Sequence, residues 1–188
     1  MASQLCLVLG GVRSGKSAFA EGRTASLSQG PILYVATGVA VDDEMKERIQ
    51  RHQASRPQEW STLEEPVDLA EKLAPLLNGA GSPCAVIIDS VDVWVANLLT
   101  ENQTENKQAL EKTVMVQADK LLTLAADSPQ VFVMVSSEVG LSLVPPEPLG
   151  RRFQDLLGMV NQEIAASATE VYMVIAGIPT RIKSANIE

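Results

Sequence analysis

Five short apolar runs punctuate the chain, at residues 5–9, 32–36, 85–88, 131–135 and 171–175. Each is continuous rather than alternating and is rich in Val, Ile and Leu. Runs of that kind suit strands buried on both faces, as in a parallel sheet covered by helices. Between them lie segments with helical spacing, near 16–28, 43–55, 67–77, 103–126 and 149–168. The alternation of strand and helix predicts an α/β domain, a mostly parallel central sheet flanked by helices through right-handed crossovers. Turn residues mark the joints at Gly30-Pro31, Gly79-Ala80-Gly81-Ser82-Pro83, Ser128-Pro129 and Pro145-Pro146. None of these joints is long enough to link two domains, and no internal repeat is visible. Residues 1–188 are therefore expected to form one domain.

Composition narrows the class. A chain of 188 residues, 46% apolar and 20% charged, has the size and balance of a soluble globular protein with a substantial core. No apolar run reaches the roughly 18 residues of a membrane span. Met1-Ala2-Ser3-Gln4 lacks the basic start of a signal peptide. A net charge of −8 argues against nucleic acid as the partner, since phosphate-backbone binding calls for a basic surplus. It leaves room for a local basic pocket that takes a small phosphorylated substrate. Cys6 and Cys84 are too few for a disulfide framework and too far apart for a zinc site. Both read as buried free thiols in a reducing compartment, so a cytoplasmic location is expected.

The chemistry begins directly after the first apolar run. Gly10-Gly11-Val12-Arg13-Ser14-Gly15-Lys16-Ser17 matches G-x-x-x-x-G-K-[ST], preceded by a predicted strand and followed by a predicted helix. Gly10 and Gly15 let the backbone wrap so that its N–H groups point at phosphate oxygens. The helix N-terminus adds partial positive charge. Lys16 is placed to reach β- and γ-phosphates, and Ser17 to offer a hydroxyl to Mg²⁺. A chance glycine-rich turn would lack that strand-before, helix-after context. Arg13, inside this P-loop, reads either as a phosphate or intersubunit contact or as a solvated surface arginine. Asp89 ends the run at 85–88, where a magnesium-orienting carboxylate belongs, although Asp89 and Ser90 are also good helix caps. Glu138, after the run at 131–135, is a candidate for binding the acceptor or activating its hydroxyl.

The single histidine, His52, falls in a segment with acids in its first turn and bases in its last, Asp42 to His52. At helical spacing Met45, Ile49 and His52 share a face, which suits a packed core histidine. Arg48, Arg51 and Arg56 lie close in sequence, and nearby positive charge disfavours imidazolium and keeps a neutral nitrogen available to attack phosphorus. Both readings stand on these residues.

Taken together, the motifs resemble a known family, the bifunctional adenosylcobinamide kinase / adenosylcobinamide-phosphate guanylyltransferases of cobalamin synthesis. The resemblance is carried by the P-loop, Tyr34-Val35-Ala36-Thr37, Asp43-Glu44-Met45 and Arg48-Ile49-Gln50-Arg51-His52. It continues through Arg56-Pro57-Gln58-Glu59-Trp60-Ser61-Thr62-Leu63-Glu64-Glu65-Pro66, Trp94-Val95-Ala96-Asn97-Leu98-Leu99, Glu138-Val139-Gly140, Val144-Pro145, Asn161-Gln162 and Gly177-Ile178-Pro179. The P-loop is widely shared, whereas the block from His52 to Pro66 is far more specific. The resemblance implies a RecA-like P-loop fold and a homotrimer with sites between subunits. It implies phosphorylation of adenosylcobinamide by ATP or GTP, then transfer of GMP from GTP through a guanylylated His52. It implies further nucleotide contacts at Thr37, Gly38, Val39, Ala54, Ser55, Arg56, Pro57, Glu64 and Asp89. Asp92, Ser137, Met159 and Thr169 depart from the residues common in that family. On the residues alone, a plain small-molecule kinase with a structural His52 and a non-catalytic nucleotide-dependent regulator are the alternatives.

Overall fold

The computed structural model describes residues 4–39, Glu47 and residues 57–184. Apart from Glu47, the helix expected over 43–55 lies outside the described residues. Seven strands form one sheet: β1 (Leu5–Gly10), β2 (Ile32–Ala36), β3 (Ser61–Glu64), β4 (Ala85–Asp89), β5 (Val131–Ser137), β6 (Glu170–Ile175) and β7 (Ile178–Lys183). Their order is β3-β2-β4-β5-β1-β6-β7. Every pairing is parallel except the β6–β7 hairpin at one edge. The loop-bearing strand β1 is separated from the Asp89 strand β4 by β5 alone, the arrangement of a RecA-like P-loop fold.

The five expected strands are all present, because buried parallel strands carry continuous apolar sequence. Two edge strands were not expected. Ser61–Glu64 has three exposed residues of four, and Ile178–Lys183 is exposed over five of six positions. Edge strands need no apolar run, and Pro179 is tolerated there because the edge spares a ladder bond.

The helices are α1 (Lys16–Leu27), α2 (Leu69–Leu73), α3 (Val91–Glu101), α4 (Lys107–Asp127) and α5 (Pro148–Ser167). α2 is shorter than the expected 67–77, since Pro75 enters a 3₁₀ turn, Ala74–Leu76. α4 starts later than the expected residue 103. Its N-cap Asn106 accepts a hydrogen bond from the Ala109 N–H at 2.9 Å, a cap worth about 1 kcal/mol. Leu110, Val114, Ala118, Leu121 and Ala125 then form a buried stripe at helical spacing. α3 was not expected: its apolar content masks any periodicity, and five of its residues are buried.

The sheet divides the core. α2, α3, α4 and α5 pack on the face of Leu7, Val86, Ile88, Phe132 and Met134. The opposite face, with Val8, Ile87, Val133 and Val135, receives Ala20 and Phe19 of α1. Arg23 of α1 pairs with Glu170 of β6 at 2.6 Å, fastening the helix against the sheet. Beside this pair burial, reinforced by the Glu170 charge, pushes the Cys6 thiol up to about 12, so it stays a neutral core group. Cys6 and Cys84 are both free thiols; Cys6 is buried and Cys84 half-buried.

Candidate nucleotide site

The cradle is built by the end of β1 and the start of α1. Gly10 admits no side chain: a Cβ there would lie 2.5 Å from Ser14 Oγ and 2.7 Å from the Val174 carbonyl oxygen. Gly15 has φ +91°, and its missing Cβ would meet Gly177 Cα at 3.3 Å. Both glycines therefore have a steric reason to be glycine, as the motif requires. The β6–β7 turn, with positive φ at Ala176 and Gly177, braces the loop from the side. Gly177 donates its N–H to the Ser14 carbonyl at 2.8 Å. Sequence reading missed that brace, because it joins residues distant in the chain.

Within the cradle Lys16 Nζ donates to the Gly11 carbonyl at 3.4 Å, so the ammonium already lies over its own loop. Ser14 Oγ is buried and has no hydrogen-bond partner among the described residues, a polar group with capacity to spare. Ser17 is half-buried in the first turn of α1, which carries no acidic side chain to compete for an anion. Arg13 is exposed and adopts φ 55°, and Val12 is exposed beside it.

Asp89 ends β4 on the α1 face, in step with Ala85 and Ile87. Tyr34 donates its phenol O–H to Asp89 Oδ2 at 2.7 Å, which orients the carboxylate. Ser90 rather than Asp89 occupies the N-cap position of α3, without a side-chain capping bond. One strand intervenes between β4 and β1, which places their axes about 9–10 Å apart, a span suited to a hydrated cation. A hydroxyl at Ser17 and a carboxylate at Asp89 are hard oxygen donors of the kind Mg²⁺ takes.

Of the other expected contacts, Thr37, Gly38 and Val39 follow β2 and Glu64 ends β3, at the same sheet edge. Thr37 follows β2 and is fully buried. Its Oγ1 donates to the Ser90 carbonyl at 2.8 Å and accepts from the Ser90 N–H at 2.9 Å. The hydroxyl is thus committed to fastening this loop to the β4–α3 junction. Asn97 of α3 locks it further, donating to the Thr37 and Pro66 carbonyls at 2.9 and 3.0 Å. Gly38 is half-buried and Val39 exposed, so these two present the surface that Thr37 holds in place. Glu64 is exposed at the end of β3, and the half-buried Pro57 accepts from the Trp60 N–H at 3.1 Å. His52, Ala54, Ser55 and Arg56 lie outside the described residues. Glu138 Oε1 accepts from the Gly140 N–H at 2.7 Å, and its own N–H donates to the Gly10 carbonyl at 3.3 Å.

The model of the family described as cobinamide kinase / cobinamide phosphate guanyltransferase matches residues 6–182. A bifunctional adenosylcobalamin biosynthesis protein CobU of Escherichia coli is 37% identical over 95% of this chain and 99% of its own. CobU of Salmonella typhimurium is likewise 37% identical, over 95% of this chain and 99% of its own. CobP of Pseudomonas aeruginosa is 38% identical over 94% and 96%. Among solved structures, the RadB recombinase overlays 92% of this chain and 74% of its own at 15% identity, with a TM-score of 0.49. The match spans nearly the whole chain, and the protein belongs to the cobinamide kinase / cobinamide phosphate guanyltransferase family.

Proposed function

We propose that the chain performs two successive transfers on one corrinoid. In the first, the aminopropanol hydroxyl of adenosylcobinamide attacks the γ-phosphate of ATP or GTP, and the nucleoside diphosphate leaves. The backbone N–H groups of Gly10, Gly11, Val12, Arg13, Ser14 and Gly15 hold the phosphates, and Lys16 neutralises charge on the transferring group. Ser17 and Asp89 would hold Mg²⁺, which would supply further neutralisation of phosphate charge. In the second, His52 attacks the α-phosphate of GTP, a P–N bond forms and pyrophosphate departs. A phosphate oxygen of adenosylcobinamide phosphate then displaces the histidine, giving adenosylcobinamide-GDP. Gly38, Val39, Ala54, Ser55, Arg56, Pro57 and Glu64 supply the further nucleotide contacts, with Thr37 anchoring their loop.

The observation that carries this reading is the meeting of the cradle and Asp89 across β5 at one sheet edge. Family membership supports the corrinoid acceptor. With γ-labelled ATP and adenosylcobinamide, label is expected in the corrinoid, and added GTP should convert that product to adenosylcobinamide-GDP. Nucleotide hydrolysis with no labelled corrinoid would overturn the assignment.

We further propose a homotrimer with sites completed between subunits, working in the cytoplasm. The exposed Arg13 on the loop supports a contact across such an interface. No helix of the described residues is long and apolar enough to cross a membrane. Light scattering at micromolar concentration should give three times the chain mass of 20.1 kDa. A value for one chain would refute the assembly.

A further inference from the structure

We propose that Ser137 and Asp92 form a hydroxyl–carboxylate relay that receives the acceptor alcohol and takes up its proton during phosphoryl transfer. The proposal rests on the kinase reading above. Ser137 closes β5 and is the register partner of Gly10, the first residue of the cradle. Two residues earlier, Val135 pairs with Asp89. Ser137 therefore stands at the sheet edge between the phosphate loop and the carboxylate strand. At that carboxyl edge its side chain reaches Asp92 in the first turn of α3.

The direction of its hydrogen bond fixes what it can do there. Ser137 Oγ donates to Asp92 Oδ2 at 2.8 Å. A hydroxyl has one proton and two acceptor lone pairs. With the proton committed to Asp92, Oγ offers only acceptor capacity to whatever enters above β5. A phosphate oxygen needs donors, whereas an incoming alcohol needs an acceptor for its O–H. Asp92 carries a second signal: Oδ1 is shielded from solvent and has no partner among the described residues. An acid in the first turn of α3 would be favoured by the helix dipole alone. The dipole explains neither the contact with the end of β5 nor the unused buried oxygen, since buried polar atoms are nearly always satisfied.

The alcohol oxygen forms its bond to the γ-phosphorus while the bond from phosphorus to the β,γ-bridging oxygen breaks. That electron pair leaves on the nucleoside diphosphate. The alcohol proton passes to Ser137 Oγ as the Ser137 proton passes to Asp92 Oδ2. Release of the proton from Asp92 to solvent resets the pair. Ser137 touches the substrate, while Asp92 acts through it as a positioning residue. Formation of a histidine–GMP bond needs no such relay, because a neutral imidazole nitrogen attacks through a lone pair and carries no proton to remove.

The two activities should therefore separate. In Ser137→Ala and Asp92→Asn, kcat for phosphorylation of adenosylcobinamide should fall by about 10²-fold or more, the usual scale of general base assistance. The Kd for GTP should stay within about twofold and the rate of GMP–enzyme formation should be unchanged, on the same scale of reasoning. Ser137→Thr, which keeps the hydroxyl, should restore kcat to within about tenfold. Full phosphorylation by Ser137→Ala would overturn the relay. So would a parallel loss of GTP affinity and GMP–enzyme formation in both variants, which marks a purely structural pair. Absence of phosphoryl transfer from the wild-type protein would overturn the kinase reading, and the relay with it.

Discussion

Lys16→Ala is expected to lower the rate of phosphoryl transfer by about 10²–10³-fold while the protein stays folded. The charge that develops on the transferring group is met mainly by preorganised cations and N–H dipoles, and Lys16 is the cation of this cradle. Its loss corresponds to roughly 3–4 kcal/mol of barrier. Folding should be indifferent, because the ammonium makes one long bond of 3.4 Å to the Gly11 carbonyl. The buried parts of α1, Ala20 and Thr24, are untouched. Steady-state kinetics beside thermal unfolding checks both halves. Near-normal turnover in a folded variant would contradict the cradle assignment.

The cradle was legible in the sequence because its chemistry is contiguous. Eight consecutive residues supply the turn, the amides, the cation and the hydroxyl, and the flanking strand and helix follow from local pattern. Asp89 was legible for a related reason, since an acid that ends an apolar run must emerge at the carboxyl edge of a buried strand. The supports of these groups were not. Tyr34 orients Asp89 from 55 positions away, and Asn97 reaches Thr37 across 60. Such pairs depend on which strands become neighbours, and strand order does not follow from periodicity. Asn97 did leave a trace, as an amide inside the apolar stretch from Trp94 to Leu99. Its half-buried side chain bonds two carbonyls, which satisfies the amide where water reaches it poorly.

The missed elements share a physical cause. β3 and β7 earn their place by pairing at an edge, without burying an apolar face. α3 was hidden by the opposite condition. It lies against the sheet with Val91, Trp94, Val95, Leu98 and Leu99 buried, so its apolar positions crowd out the polar ones that reveal a period. The indole of Trp94 donates to the Val67 carbonyl at 2.7 Å, tying α3 to the segment before α2. That tie, with the Asn97 bonds, fixes the loop after β2 against α3.

The second large effect concerns His52. Replacing it by alanine should abolish the covalent GMP intermediate and with it the formation of adenosylcobinamide-GDP. Phosphorylation of adenosylcobinamide should persist, since the proposed function assigns γ-phosphate chemistry to Lys16, Ser17 and Asp89. A histidine that only fills a core would behave differently. Its loss would lower stability by a few kcal/mol at most and would leave the products of both steps in their usual ratio.

The most direct test is to incubate the wild-type protein with α-labelled GTP and Mg²⁺, denature it, and follow the label on the chain. The account predicts protein-bound GMP that survives denaturation, is released by acid, resists alkali and is missing from His52→Ala. Protonation of the other ring nitrogen makes imidazole a good leaving group, and alkali offers no such route. Label retained on His52→Ala, or missing from the wild-type protein, would contradict it.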